Sequence, residues 1–133
     1  MTYALDSNII SYWLIGNKNV EEQIDNATIN MNEIIIPPVT YYEIRRGFKH
    51  KSAPKKEFAF NLICETYPIG KMTISAWDIA AEIYGQTRKQ GNPIEDTDIL
   101  IAAFCLAHNY TLVTANIKHF DSINGLVIVD WTA

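Results

Sequence analysis

Ile34, Ile35 and Ile36 stand in a row and are closed by Pro37 and Pro38. β-Branched side chains favour the pleated backbone, and proline lacks the donor a ladder needs, so the run reads as a short strand ending at residue 36. It carries no polar alternation, which is the pattern of a strand buried on both faces in a parallel sheet. Residues 2–5, which meet Asp6, and residues 111–114 and 126–129 read as further short strands. The intervening segments have helical character. Residues 8–15 are rich in large apolar side chains and stop near Gly16. Residues 20–29 space Val20, Ile24 and Ala27 along one face, with Glu21 and Glu22 in the first turn, where the helix dipole favours acids.

Thr40 is expected to open a helix running through Phe48, and Pro54 to begin another that reaches Cys64, the two forming a helical hairpin. Residues 75–89 place Trp77, Ala80, Ala81 and Tyr84 on an apolar side and stop at Gly91, and residues 98–108 form a last helix. Strands alternating with helices predict an α/β fold: a central, mainly parallel sheet covered on both faces by right-handed crossovers, in three α/β/α layers. No linker, repeat or low-complexity tract breaks the pattern, so residues 1–133 are expected to form a single domain.

In open sheets of this kind ligands bind beyond the C-terminal ends of the strands, where Asp6 and residues 114–116 fall. Asp6, Glu43 and Asp98 each stand near a junction between elements and could converge there. A divalent cation held by a few carboxylates supplies both an activated water and relief of developing charge, the two requirements of phosphodiester hydrolysis. Each acid also has a purely structural reading. Asp6 could cap the helix that follows it. Glu43 lies three residues after Thr40, the spacing of a capping box. Asp98 belongs to the cluster Glu95, Asp96, Asp98 at the start of an apolar helix, although three acids in four residues exceed what one cap requires. Asp78, Asp121 and Asp130 fit turns or first turns.

A net charge of −4 argues against an ordinary nucleic-acid binder, but its distribution is uneven: six of the eleven Lys and Arg residues lie between Arg45 and Lys56. That run is either a solvated face or a track for a phosphate backbone. Cys64 and Cys105 sit in apolar helical contexts without partners at metal-site spacing and read as packing residues. No apolar stretch approaches the ~20 residues of a membrane span, and the start of the chain lacks the features of a signal peptide, so a cytoplasmic location is expected.

Taken in order, several segments are similar to the motifs of one family. Leu5, Asp6, Ser7 and Asn8 resemble the opening motif of PIN domains; the stretch from Val39 to Gly47 resembles the second, built around its Glu; and the segment from Gly91 through Asp98 to Ala103 resembles the third. Thr114, Ala115 and Asn116, with Phe120, Gly125, Leu126 and Trp131, look like the C-terminal end of the VapC branch of that family. The resemblance implies a PIN-like fold and a Mg²⁺-dependent endoribonuclease toxin, with Mn²⁺ able to substitute. Asp6 and Asp98 would bind the metal and Glu43 would complete the catalytic acids. Ser7, Asp96, Thr114 and Asn116 would support them, Asn116 standing where many members place a fourth acid. Arg45, Arg46 and Lys49 would contact RNA. The substrate would be transfer RNA, with initiator transfer RNA as the target of the branch it most resembles. The partners would be a VapB-type antitoxin laid over the site and a second copy in a homodimer.

Two rivals accompany this reading. One is a PIN-like RNA-binding or interaction module without catalysis. The other is a phosphotransferase using Asp6 as nucleophile, which needs a second acid two residues on, where this chain has Asn8.

Overall fold

The computed structural model describes residues 1–133. Strands β1 (Thr2–Leu5), β2 (Glu33–Ile35), β3 (Thr111–Val113) and β4 (Ile128–Val129) form one sheet in the order β2-β1-β3-β4, and every pairing is parallel. The helices are α1 (Ser7–Leu14), α2 (Lys18–Ile29), α3 (Pro38–His50), α4 (Pro54–Thr66), α5 (Ile74–Lys89) and α6 (Asp96–His108), and a 3₁₀ turn spans Ile117–His119. Gly16 and Gly91 adopt positive φ values of 76° and 72° just after α1 and α5, so both anticipated stops are left-handed turns that glycine tolerates without a Cβ penalty.

Alternation along the strands divides the core. Leu5 and Val113 face a cluster built from α1 to α4, including Ile9, Val20, Ile24, Ile44 and Phe60. Ala4 and Leu112 face the opposite cluster, which holds Ala80, Ile83, Ala102, Phe104 and Phe120. The result is the expected three-layer α/β/α arrangement. After α4 the chain returns to the sheet margin, where Ile36 N–H donates to the Pro68 carbonyl at 2.9 Å and Gly70 N–H to the Ile36 carbonyl at 2.8 Å. This short bridge pairs polar groups of the segment that continues from β2 and was not evident from the sequence.

Two local expectations are corrected. The buried side of α5 is Ala76, Ala80, Ile83 and Thr87, whereas Trp77 and Tyr84 are exposed. Small residues win this face because α5 lies directly against α6, whose own buried side includes Ala102 and Ala103. Nor does Thr40 begin a helix or share a capping box with Glu43. Pro38 opens α3, and the fully buried Thr40 hydroxyl donates to the Leu5 carbonyl at 2.9 Å. The spacing of three therefore serves another purpose: Thr40 pins α3 to the end of β1, and Glu43 follows one turn later on a neighbouring face. No helix is long and apolar enough to cross a membrane.

Candidate active site

The chain runs from β1 outward to β2 on one side and then returns past β1 to β3 on the other. The order therefore reverses between β1 and β3, and ligand crevices in open α/β sheets form at such a point. Asp6 directly follows β1 and Thr114 directly follows β3, so both stand at the mouth of this crevice.

Asp6 does cap α1: its extended backbone precedes Ser7, and its Oδ1 accepts from Ser7 N–H at 2.7 Å. Its other oxygen, Oδ2, accepts from the Thr114 hydroxyl at 2.8 Å and from Asn8 Nδ2 at 3.2 Å. Asn8 Nδ2 also lies 3.3 Å from Thr114 Oγ1, and its carbonyl oxygen accepts from Ala115 N–H at 3.1 Å. Asn8 thus links the acid to the end of β3. Burial nevertheless holds the Asp6 carboxyl above the usual carboxylate range, outweighing the donors of Thr114, Ser7 and Asn8.

Glu43 projects from α3 into the same field. Burial raises its affinity for a proton, the negative charges of Asp6 and Asp98 add to the rise, and Arg46, 3.7 Å away, offsets part of it. Asp98, in the first turn of α6, is raised by burial and by Asp6 and opposed by His119, whose Nδ1 lies 3.1 Å from Asp98 Oδ2. The three acids predicted from sequence therefore come together closely enough to perturb one another. Each also resists ionisation, as carboxylates do when a desolvated cluster lacks sufficient positive charge.

The supporting residues divide. Ser7 and Thr114 belong to the site, whereas Asp96 is exposed at the start of α6 and Glu95 is the acid that adds to the load on Asp98. Asn116 donates its backbone N–H to Thr114 Oγ1 at 3.0 Å, with the residue itself exposed. Among the basic residues, Arg45 is committed to the hairpin: it bonds Asn61 at 2.7 Å, pairs with Glu57 at 3.6 Å and lies over the Tyr41 and Phe60 rings. Arg46, with Lys51, Lys56, Ser7 and Ser11, lines a groove of about 430 Å³ that reaches Glu43, while Lys49 is exposed outside this lining. Sequence reasoning missed His119 and understated Asn8. Only the fold brings His119 to Asp98 and Asn8 to the end of β3. Cys105, raised strongly by burial, is an inert thiol.

No three His, Cys, Asp or Glu side chains are close enough to form a ready-made cage for an ion. The donor set is nevertheless all oxygen, excess in negative charge and open. That suits a hard divalent cation such as Mg²⁺, which retains several of its waters, better than a closed structural metal site.

The PIN domain family matches residues 3–126 of the chain. Ribonuclease VapC1 of Haemophilus influenzae strain R2866 is 28% identical over 137 residues, covering 99% of each chain. The tRNA(fMet)-specific endonuclease VapC of Salmonella typhimurium is 27% identical, covering 98% of each. Among solved structures, VapBC2 from Rickettsia felis bound to a DNA fragment from its promoter superposes with a TM-score of 0.91 at 26% identity, covering 98% of this chain and 99% of that one. With the fold, the order of its motifs and this extent of match in agreement, the chain belongs to the PIN domain family.

Proposed function

We propose that this chain, as one PIN domain over residues 1–133, is a metal-dependent endoribonuclease toxin of the VapC kind, with transfer RNA as substrate and a VapB-type antitoxin as its inhibitor. The observation that carries the reading is the convergence of Asp6, Glu43 and Asp98, from three separate elements, into one field where each is held above its ordinary pKa. Such a cluster is short of positive charge, and a divalent cation beside a phosphate supplies it.

Asp6 and Asp98 are the residues that would hold Mg²⁺ or Mn²⁺, with Glu43 completing the set. The bound ion would supply charge neutralisation at the phosphate and a water acidic enough to attack it. The protein's part is positioning. Thr114, Ser7 and Asn8 fix both oxygens of Asp6, and Thr40 anchors the helix that presents Glu43. Arg46, Lys51 and Lys56 offer cations along the adjoining groove, where they would orient a phosphate backbone without reading its sequence.

The choice of transfer RNA draws on the named activity of the Salmonella typhimurium relative, and the antitoxin on the VapBC complex from Rickettsia felis. A homodimer and a cytoplasmic location complete the proposal. A second reading, an RNA-binding module without catalysis, draws on the open spacing of the acids. Incubating the purified chain with total transfer RNA separates the two. Discrete fragments formed with Mg²⁺ or Mn²⁺ and abolished by EDTA are the expected result; an intact RNA that still binds the protein would favour the module, and cleavage persisting in excess chelator would remove the metal mechanism.

A further inference from the structure

Asp6 and Asp98 are held very differently. Asp6 is fixed by three donors, whereas the only side-chain hydrogen bond of Asp98 is the one to His119, Nδ1 to Oδ2 at 3.1 Å. Holding a cation requires the Asp98 carboxylate to be ionised, and against an ionised carboxylate, which only accepts, Nδ1 is the donor.

The mount that delivers this donor is constructed rather than incidental. His119 ends the 3₁₀ turn Ile117–His119, which closes with His119 N–H to the Asn116 carbonyl and Phe120 N–H to the Ile117 carbonyl, both at 3.0 Å. The next residue, Phe120, is fully buried in the cluster under α5 and α6 and pins the turn to the core. The imidazole itself is about half exposed, so the core does not need it for packing. A ring held by a rigid turn, with one nitrogen on a carboxylate of the site, matches the way outer partners orient metal-ligating carboxylates.

We infer that His119 is a positioning residue for the metal site: by donating to Asp98 Oδ2 it fixes that carboxylate and leaves Oδ1 for the cation. The inference rests on the proposed metal site and concerns a residue outside its ligand set. A different role would have the opposite sign. An imidazole that merely stood in for the missing cation would compete with metal, and its removal would tighten binding.

The test is Mn²⁺ affinity of the purified full chain, measured by electron paramagnetic resonance without any RNA, for the parent, Asp98→Asn, His119→Ala and His119→Asn. His119→Ala is expected to weaken Mn²⁺ binding by about 10- to 100-fold, the usual cost of losing such a partner. Its melting temperature should stay unchanged. His119→Asn, whose amide nitrogen reaches the position of Nδ1, should recover most of that affinity. Unchanged or tighter binding in His119→Ala would overturn the inference, as would failure of His119→Asn to restore it. If Asp98→Asn itself bound Mn²⁺ as the parent does, the metal-site reading would fall and this inference with it.

Discussion

Thr114 donates its hydroxyl to the Asp6 carboxylate at 2.8 Å across 108 positions of sequence, and the same oxygen accepts from Asn116 N–H and lies within reach of Asn8 Nδ2. Thr114→Val keeps the shape but removes the donor and the acceptor together. The expected cost is about 1–3 kcal/mol in urea unfolding, because buried polar groups are left without partners. RNA cleavage near neutral pH should fall as well, since Asp6 would then ionise less readily.

Asp6→Asn and Asp98→Asn should each abolish cleavage and growth inhibition while far-ultraviolet circular dichroism stays native. The loss should exceed the roughly 100-fold that removing an outer partner can cause. If both variants cut RNA as the parent does, the assignment of the carboxylates fails.

Stability should depend on pH with a defined sign. Asp6, Glu43 and Asp98 all bind protons more tightly in the folded than in the unfolded chain. Stability from these groups is therefore present below their ordinary values and is lost as pH rises through the raised ones. In EDTA, the melting temperature of Asp6→Asn minus that of the parent should increase as pH rises above the ordinary carboxylate range. Added Mg²⁺ should narrow the gap at the upper end by stabilising the parent. A difference that is flat or shrinks with pH would contradict the raised Asp6.

The neighbours Arg45 and Arg46 should respond in opposite ways. Arg45→Ala removes a guanidinium packed on Tyr41 and Phe60 and bonded to Asn61, and should cost about 1–2 kcal/mol of stability. Arg46→Ala leaves the fold intact, weakens RNA binding and lowers the slope of log affinity against log salt by about 1. Titrations at several salt concentrations, alongside thermal melts, separate the two effects.

The strands, the parallel sheet and the approximate helix spans were legible because each rests on local chemistry: runs of β-branched residues, prolines that end ladders, glycines that end helices. Asp6 was legible for the same reason, as a carboxylate terminating an apolar run. What escaped was non-local. Thr40 and Glu43 carried the spacing of a capping box, but the partner of Thr40 is a carbonyl on β1, and no window along α3 contains it. Trp77 and Tyr84 drew the expected face away from Ala76, Ile83 and Thr87, yet close approach of α6 selected the side that holds Ala76 and Ala80. His119 had no signal of its own, being a half-exposed residue in a turn whose partner, Asp98, lies 21 positions earlier. Arg45 looked like its neighbours in a basic run, and only the hairpin distinguishes it.

The central position of β1 bears on the chain as it is synthesised. β1 precedes both of its neighbours along the chain, pairing with β2 on one side and, through Tyr3 and Thr111, with β3 on the other. Until β3 has left the ribosome, Asp6 has neither the Thr114 hydroxyl nor the crevice wall beside it, and Asp98 lacks the turn that carries His119. On the proposed reading, a growing polypeptide therefore lacks an assembled cutting site until the segment from Thr111 to His119 has emerged.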